Sequence, residues 1–307
     1  MGKSTIEVQV EKLFKHTRQG SYSTRARYKS SCKMFVRFCM ENFKMQNIRN
    51  LHDKHVAAFV EARLKAGTDP KTVTGDLSAL RFLHDQVQKP RYELSDNKGL
   101  KEKYGVDLPE KSQVNGDRSW TKDEYKGMLE IAQNLRNSNV VDCMILARTM
   151  GLRVTEATAV SRAQAEYALR TGVYQVKGEA KNGKHREVPL SPEGRRIFER
   201  RLIITNRGER LFIRPGEKTH QVANRMQKFL QHHRDKVLTE EGVNRRIDRR
   251  DGSDRNLTFH GLRYNYIQDR VSQELEKGFS IDQAKQIVTH EVGHERIDVI
   301  KIYEGKY

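Results

Sequence analysis

Four short segments hold polar residues that packing does not explain, and each suggests chemistry. In GLRVTEA (151–157) Arg153 opens a helix just after a glycine, with Glu156 one turn on. The helix dipole disfavours a cation there, yet the same place suits a bound anion. A surface Arg/Glu pair would share the pattern. In TFHGLRYNY (258–266) His260 and Arg263 are three apart, on one face at the start of a helix that Thr258 can cap. Imidazole and guanidinium converging at a helix start can hold a phosphate, because both donate hydrogen bonds and arginine can do so bidentately. In EAKNGKHREVPL (179–190) Lys181 and Lys184 flank an Asn-Gly turn signal. A lysine on a tight turn is held rigidly, as a proton donor must be, although exposed hairpin lysines also serve solubility. The last segment, THEVGHERIDVIKIY (289–303), contains H-E-x-x-H at 290–294, a zinc-protease pattern with Glu291 as base. Gly293 weakens the helix that would hold both histidines, and the 13 residues after His294 supply no third ligand at a fitting spacing. The metal reading is therefore rejected.

These segments all lie in the second part of the chain, beyond a helical first part. The first part reads as all-helical: Ser4 to about Arg18, Ser23 to Met45, Leu51 to Ala66, and a fourth helix from Asp69-Pro70 with Val73, Leu77, Leu80 and Val87 on one face. In the second of these, Phe35 and Phe38 are expected in the core rather than as stacking platforms. Residues 93–118 carry Pro, Gly, Asn and Asp without helical periodicity and read as a linker. Beyond them, Thr121 and Glu124 form a capping box and Gly151 stops an apolar helix over 138–150. A hairpin pairs 173–176 with 185–190. Further helices are expected from Ser191-Pro192 and near 218–237, 258–276, 280–290 and 296–303, and the arginine-rich run 239–256 reads as a surface insertion. The fold class is mainly α with a small β-hairpin: a helical domain over 1–92, a linker over 93–118 and an α+β domain over 119–307.

Charge narrows the partner. Of 307 residues, 58 are Lys or Arg and 40 Asp or Glu, a net charge of +18, with mean hydropathy −0.82. Residues 1–90 carry 17 basic against 8 acidic side chains and residues 121–307 carry 35 against 26, so each half is about +9. Two basic lobes on a tether suit a polyanion such as duplex DNA. No stretch approaches the roughly 20 apolar residues of a membrane span, and the N-terminus lacks a signal-like apolar core, so no membrane partner is expected. Cys32, Cys39 and Cys143 make neither an even framework nor a C-x-x-C clip, which suits a reducing compartment without structural zinc.

Taken in order, an Arg in GLRVTEA, a turn lysine followed by REVPL, an H-x-x-R, and a Gly-His followed nine positions later by a tyrosine resemble the tyrosine recombinases of the phage-integrase family. The resemblance covers residues 119–303. The helical first lobe is similar in size and layout to the family's core-binding domain, though not by motif. It implies Arg153 and Arg263 on the scissile phosphate, Lys181 as the turn lysine with Lys184 its rival, His260 and His294 as the two histidines, Glu156 at the supporting acidic position and Tyr303 as nucleophile. Tyr264, Tyr266 and Tyr307 lack the family spacing. No cofactor or metal is implied. The activity implied is site-specific DNA recombination of the integration or excision type, through a 3′-phosphotyrosyl intermediate. The expected partners are double-stranded recombination sites, a homo-tetramer and accessory DNA-bending or directionality proteins, in the cytoplasm. A type IB topoisomerase or telomere resolvase would use a similar site, and a catalytically silent architectural DNA-binding protein would share the charge. Two features depart from the family pattern: the arginine-rich insertion, and a tail of only EGKY after Tyr303.

Overall fold

A computed structural model of the chain describes residues 5–20, 22–108, 116–178, 185–248, 252, 253, 255–293 and 300–304. It divides into two units, Met1–Ser112 and Gln113–Tyr307.

The first unit consists, among its described residues, of helices and connecting turns: α1 (Thr5–His16), α2 (Tyr22–Phe43), α3 (Asp53–Lys65), α4 (Pro70–Asp85) and α5 (Asn97–Tyr104). Local chemistry sets the ends. The Asp69 carboxylate accepts from the Lys71 amide at 2.8 Å and Pro70 takes the first helical position, as the sequence predicts. The apolar faces of α2 and α4 meet in a core that includes Val36, Val73, Leu77 and Leu80. Phe35 is fully buried and stands edge-on to Phe59 at 5.3 Å, with Phe38 at 5.5 Å from the same ring. Phe35 is a core residue, as expected, and Phe38 packs half-buried against the core.

The expected linker differs from what forms. Asp96 caps α5 through the Gly99 amide, Gly105 ends it at φ 67°, and Leu100 and Val106 sink into the first unit's core. Asp53 holds the preceding chain by accepting from the Ser95 amide at 2.8 Å and hydroxyl at 2.6 Å. Within the short α5 only Leu100 and Tyr104 face the core, too few for a periodicity signal, while Leu94, Val106 and Leu108 pack against it from the flanking chain. Residues 93–108 therefore belong to the helical unit.

The second unit is helical around one small sheet: α6 (Lys122–Asn134), α7 (Ser138–Met150), α8 (Val154–Thr158), α9 (Arg162–Thr171), β1 (Val173–Val176), β2 (Arg186–Pro189), α10 (Pro192–Leu202), α11 (Thr219–His233), α12 (Glu240–Arg246), α13 (Phe259–Glu276), α14 (Ile281–Glu291) and α15 (Lys301–Glu304). β1 and β2 pair antiparallel, Val173 opposite Pro189 and Val176 opposite Arg186. Helix α13 packs on α7, α14 and α15 and brings them to one place. No described helix is long and apolar enough to cross a membrane.

The run 239–256 is not simply a surface insertion. Thr239 caps α12, and Arg246, 1% exposed, forks onto the fully buried Glu124 with Nη1 and Nη2 at 2.7 and 2.6 Å. Asp248, also fully buried, accepts from Arg255. Glu124 already closes the predicted capping box with Thr121. Removing one partner of a buried ion pair strands the other charge and typically costs about 3–5 kcal/mol. Arg246→Ala is accordingly expected to lower stability by that order in denaturant titration. A loss below about 1 kcal/mol would show that the pair is not closed in solution.

Candidate active site

Arg153, Glu156 and Arg263 come together around the end of α7. Gly151 terminates that helix at φ 60°, and a Cβ there would lie 2.4 Å from the Tyr266 ring. Only glycine allows both the left-handed turn and the close approach of α13. The chain then delivers Arg153 to the start of α8, where its amide donates to Glu156 Oε2 at 2.7 Å and its Nη1 to Oε1 at 2.8 Å. The Glu156 side chain is wholly buried, whereas Arg153 keeps 22% of its side chain open to solvent. The carboxylate is thus inside and the guanidinium at the rim.

Arg263 lies deeper, 1% exposed, on the first turn of α13. Its Nη1 donates to the Gly151 carbonyl at 2.5 Å and its Nη2 to that of Val292. Its Nε is buried with no hydrogen-bond partner among the described residues. Burial first, then the nearby Arg153, push its pKa down to about 10, against the pull of Tyr303 and Glu156, so it stays charged at neutral pH. Thr258 occupies the expected cap position of α13, but its side chain makes no capping bond; its carbonyl instead accepts from the Trp120 indole at 2.9 Å.

The sequence reasoning missed Arg186. It opens β2, with its side chain only 4% exposed, and forks onto Glu156: Nη1 to Oε1 at 2.8 Å and Nη2 to Oε2 at 2.6 Å. Its Nε donates to the Glu291 carbonyl at 2.9 Å. The signal was present in the strand alternation, because Arg186 and Val188 fall on the same inward face and an inward arginine requires a buried anion. Burial alone would raise the Glu156 carboxyl. The Arg186 hydrogen bonds, then the charges of Arg186, Arg153 and Arg263, outweigh it and hold the group at about 2. Because this pKa is depressed, the stability it contributes is complete above the ordinary value of 4.5 and is lost as pH falls from there through about 2.

His260 is exposed on the first turn of α13, with its ring 6.0 Å from Tyr303 and 5.6 Å from Tyr264. Tyr303, on α15, is 6% exposed, its ring 4.6 Å from that of Tyr264 and its carbonyl accepting from Gln268 Nε2 at 2.9 Å. The structure therefore brings together Arg153, Glu156, His260, Arg263 and Tyr303. Lys181, its rival Lys184 and His294 lie outside the described residues. Glu291, the would-be base of the H-E-x-x-H pattern, accepts from the Tyr266 hydroxyl at 2.8 Å and from Arg270 at 2.6 and 3.0 Å, so its carboxylate serves an internal ion pair.

The fold is similar to that of known proteins. Residues 11–87 match the family model described as the phage integrase N-terminal SAM-like domain. Over 99% of the chain and 98% of the other, the fold is similar to lambda integrase bound to DNA, at TM-score 0.64 and 15% identity. The Tn1549 transposon integrase in complex with transposon right end DNA is similar over 99% of the chain and 95% of its own, at TM-score 0.58 and 12% identity. The XerH site-specific recombinase bound to a palindromic difH substrate gives TM-score 0.60 and 16% identity over 97% and 80%. No curated protein sequence matches the chain. The chain therefore shares the fold of these integrases and recombinases: a first unit that matches the phage-integrase SAM-like model, followed by a mainly helical unit with a two-stranded antiparallel sheet.

Proposed function

We propose that the protein is a site-specific DNA recombinase that breaks and rejoins strands through a 3′-phosphotyrosyl intermediate. The observation that carries this reading is the clustering of two arginines, Arg153 in contact with the buried Glu156 and Arg263 close enough to help lower that carboxyl's pKa, beside the His260–Tyr303 ring contact. The Tyr303 phenol oxygen attacks the scissile phosphorus, the P–O bond to the 5′ oxygen breaks, and a phosphotyrosyl ester forms. Charge growing on the nonbridging oxygens is stabilised by the two guanidiniums, groups of a kind typically worth several kcal/mol each. His260 accepts or relays the phenol proton, Lys181 supplies a proton to the departing 5′ oxygen, and His294 donates a hydrogen bond to the phosphate. The ester conserves the bond energy, so a second strand's 5′ hydroxyl can reverse the step without a nucleotide cofactor.

The partners are double-stranded recombination sites, bound by a homo-tetramer with accessory DNA-bending or directionality proteins, and the setting is cytoplasmic and DNA-associated, as in a phage or mobile element. The test is covalent trapping on a nicked suicide duplex in excess EDTA. A protein–DNA adduct supports the enzyme, and clean binding without adduct points to an architectural protein. Strand exchange between two such duplexes distinguishes a recombinase from a topoisomerase. With about +9 on each half, affinity is expected to fall steeply with salt, log Kd changing with a slope of about 0.9 per phosphate contact. A flat dependence would oppose binding through both basic lobes.

A further inference from the structure

We propose that Arg186 is a positioning residue for Arg153, keeping that guanidinium free to bind the phosphate and fixing the chain that leads into residue 294. This rests on reading Arg153 as a phosphate ligand.

The geometry of Glu156 carries the inference. Its carboxylate is wholly buried and within reach of two arginines. Left with Arg153 alone, such a carboxylate would draw that guanidinium into a side-on fork, the strongest arrangement for the pair. Arg186 already occupies both oxygens as a fork, from inside the protein. Arg153 makes one end-on side-chain contact, from Nη1 to Oε1, and its other side-chain N–H donors have no partner among the described residues and lie at the open rim of the site. Charge points the same way. Arg153, Arg186 and Arg263 set against Glu156 leave a net positive centre, and without Arg186 the carboxylate would cancel one of the two remaining guanidiniums.

The same side chain has a second grip. Its Nε holds the Glu291 carbonyl at 2.9 Å, and its Cδ stands where a Cβ on Gly293 would come within 2.9 Å. Gly293 takes φ 68°, which glycine adopts without strain. One arginine on β2 thus fixes the start of α8 and the end of α14. A lysine could supply the charge but not three directed donors.

The test compares Arg186→Met and Arg186→Lys with wild type on suicide duplexes carrying either a normal phosphodiester or a methylphosphonate at the scissile position. A methylphosphonate replaces one charged nonbridging oxygen with a neutral methyl group, so it relieves the need for a well-placed arginine and does nothing for a damaged scaffold. Arg186→Met is expected to lose about 10²-fold in adduct formation on the phosphodiester, as for a catalytic group displaced by about 1 Å, and to recover most of it on the methylphosphonate, as Arg153→Ala should. Arg186→Lys, which keeps the charge and guards against a folding failure of the methionine variant, should show a smaller loss with the same recovery. Adding Glu156→Gln to Arg186→Met should restore part of the phosphodiester rate, because an uncharged amide does not clamp Arg153. Equal losses on both substrates, or no loss, would overturn the assignment. A wild-type chain that forms no adduct, or an Arg153→Ala variant that the methylphosphonate does not rescue, overturns the underlying reading and this proposal with it.

Discussion

Tyr303→Phe is expected to bind its DNA with wild-type affinity and to form no covalent complex at all. The substitution removes one oxygen, the atom that bonds to phosphorus, and leaves the ring. That ring packs against Tyr264 at 4.6 Å and His260 at 6.0 Å, contacts that phenylalanine keeps, so the loss in stability is about 1 kcal/mol, that of one hydroxyl interaction. The other tyrosines are poorly placed to substitute. Burial raises the Tyr264 phenol to about 12, and the Tyr266 hydroxyl donates to Glu291 while burial and that carboxylate push its pKa up. Neither loses a proton readily. Tyr307, outside the described residues, serves as the control: Tyr307→Phe should still form the adduct. Peptide mapping of the trapped adduct to any residue but Tyr303 would overturn the assignment, as would adduct formation by Tyr303→Phe.

What the sequence showed well were features decided within a few residues. The Asp69-Pro70 start of α4, the Thr121/Glu124 capping box and the Gly151 stop each depend on groups at most about one helical turn apart, and each formed, as did the two strands. What it hid were pairings across long stretches of chain. Arg246 meets Glu124 and Arg186 meets both Glu156 and Glu291, and no local pattern announces which distant group a buried arginine will meet. Composition points away from the outcome in the same way at 239–256, whose polar residues suggest a surface insertion, and at 93–108, whose polar residues suggest a linker. Three well-placed carboxylates, Glu124, Asp248 and Asp53, hold those segments. The site residues were legible as a family pattern in sequence order. Their convergence needed α13, which carries His260 and Arg263 and packs against α15, where Tyr303 sits.

The Lys181→Ala variant should separate two halves of the reaction. When the P–O bond breaks, the departing 5′ alkoxide is as basic as hydroxide, with a conjugate acid of pKa about 16, and must receive a proton as it leaves. A lysine with an ordinary pKa of about 10.4 is charged at neutral pH and can donate it. Loss of such a general acid typically reduces the rate by about 10²- to 10⁴-fold. If sulfur replaces the bridging 5′ oxygen, the leaving group is a thiolate whose acid has a pKa of about 8.5, and no donor is needed. Lys181→Ala is therefore expected to be severely slowed on the phosphodiester and close to wild type on the thio substrate. Arg153→Ala, which acts on nonbridging oxygens, should stay slow on both. Lys181 and Lys184 both fall between β1 and β2 in the sequence, outside the described residues, and the strand that follows them is held by Arg186 on Glu156. Selective rescue of Lys184→Ala in place of Lys181→Ala would transfer the donor role to Lys184. Equal rescue of Lys181→Ala and Arg153→Ala would show that neither residue acts on the leaving oxygen alone.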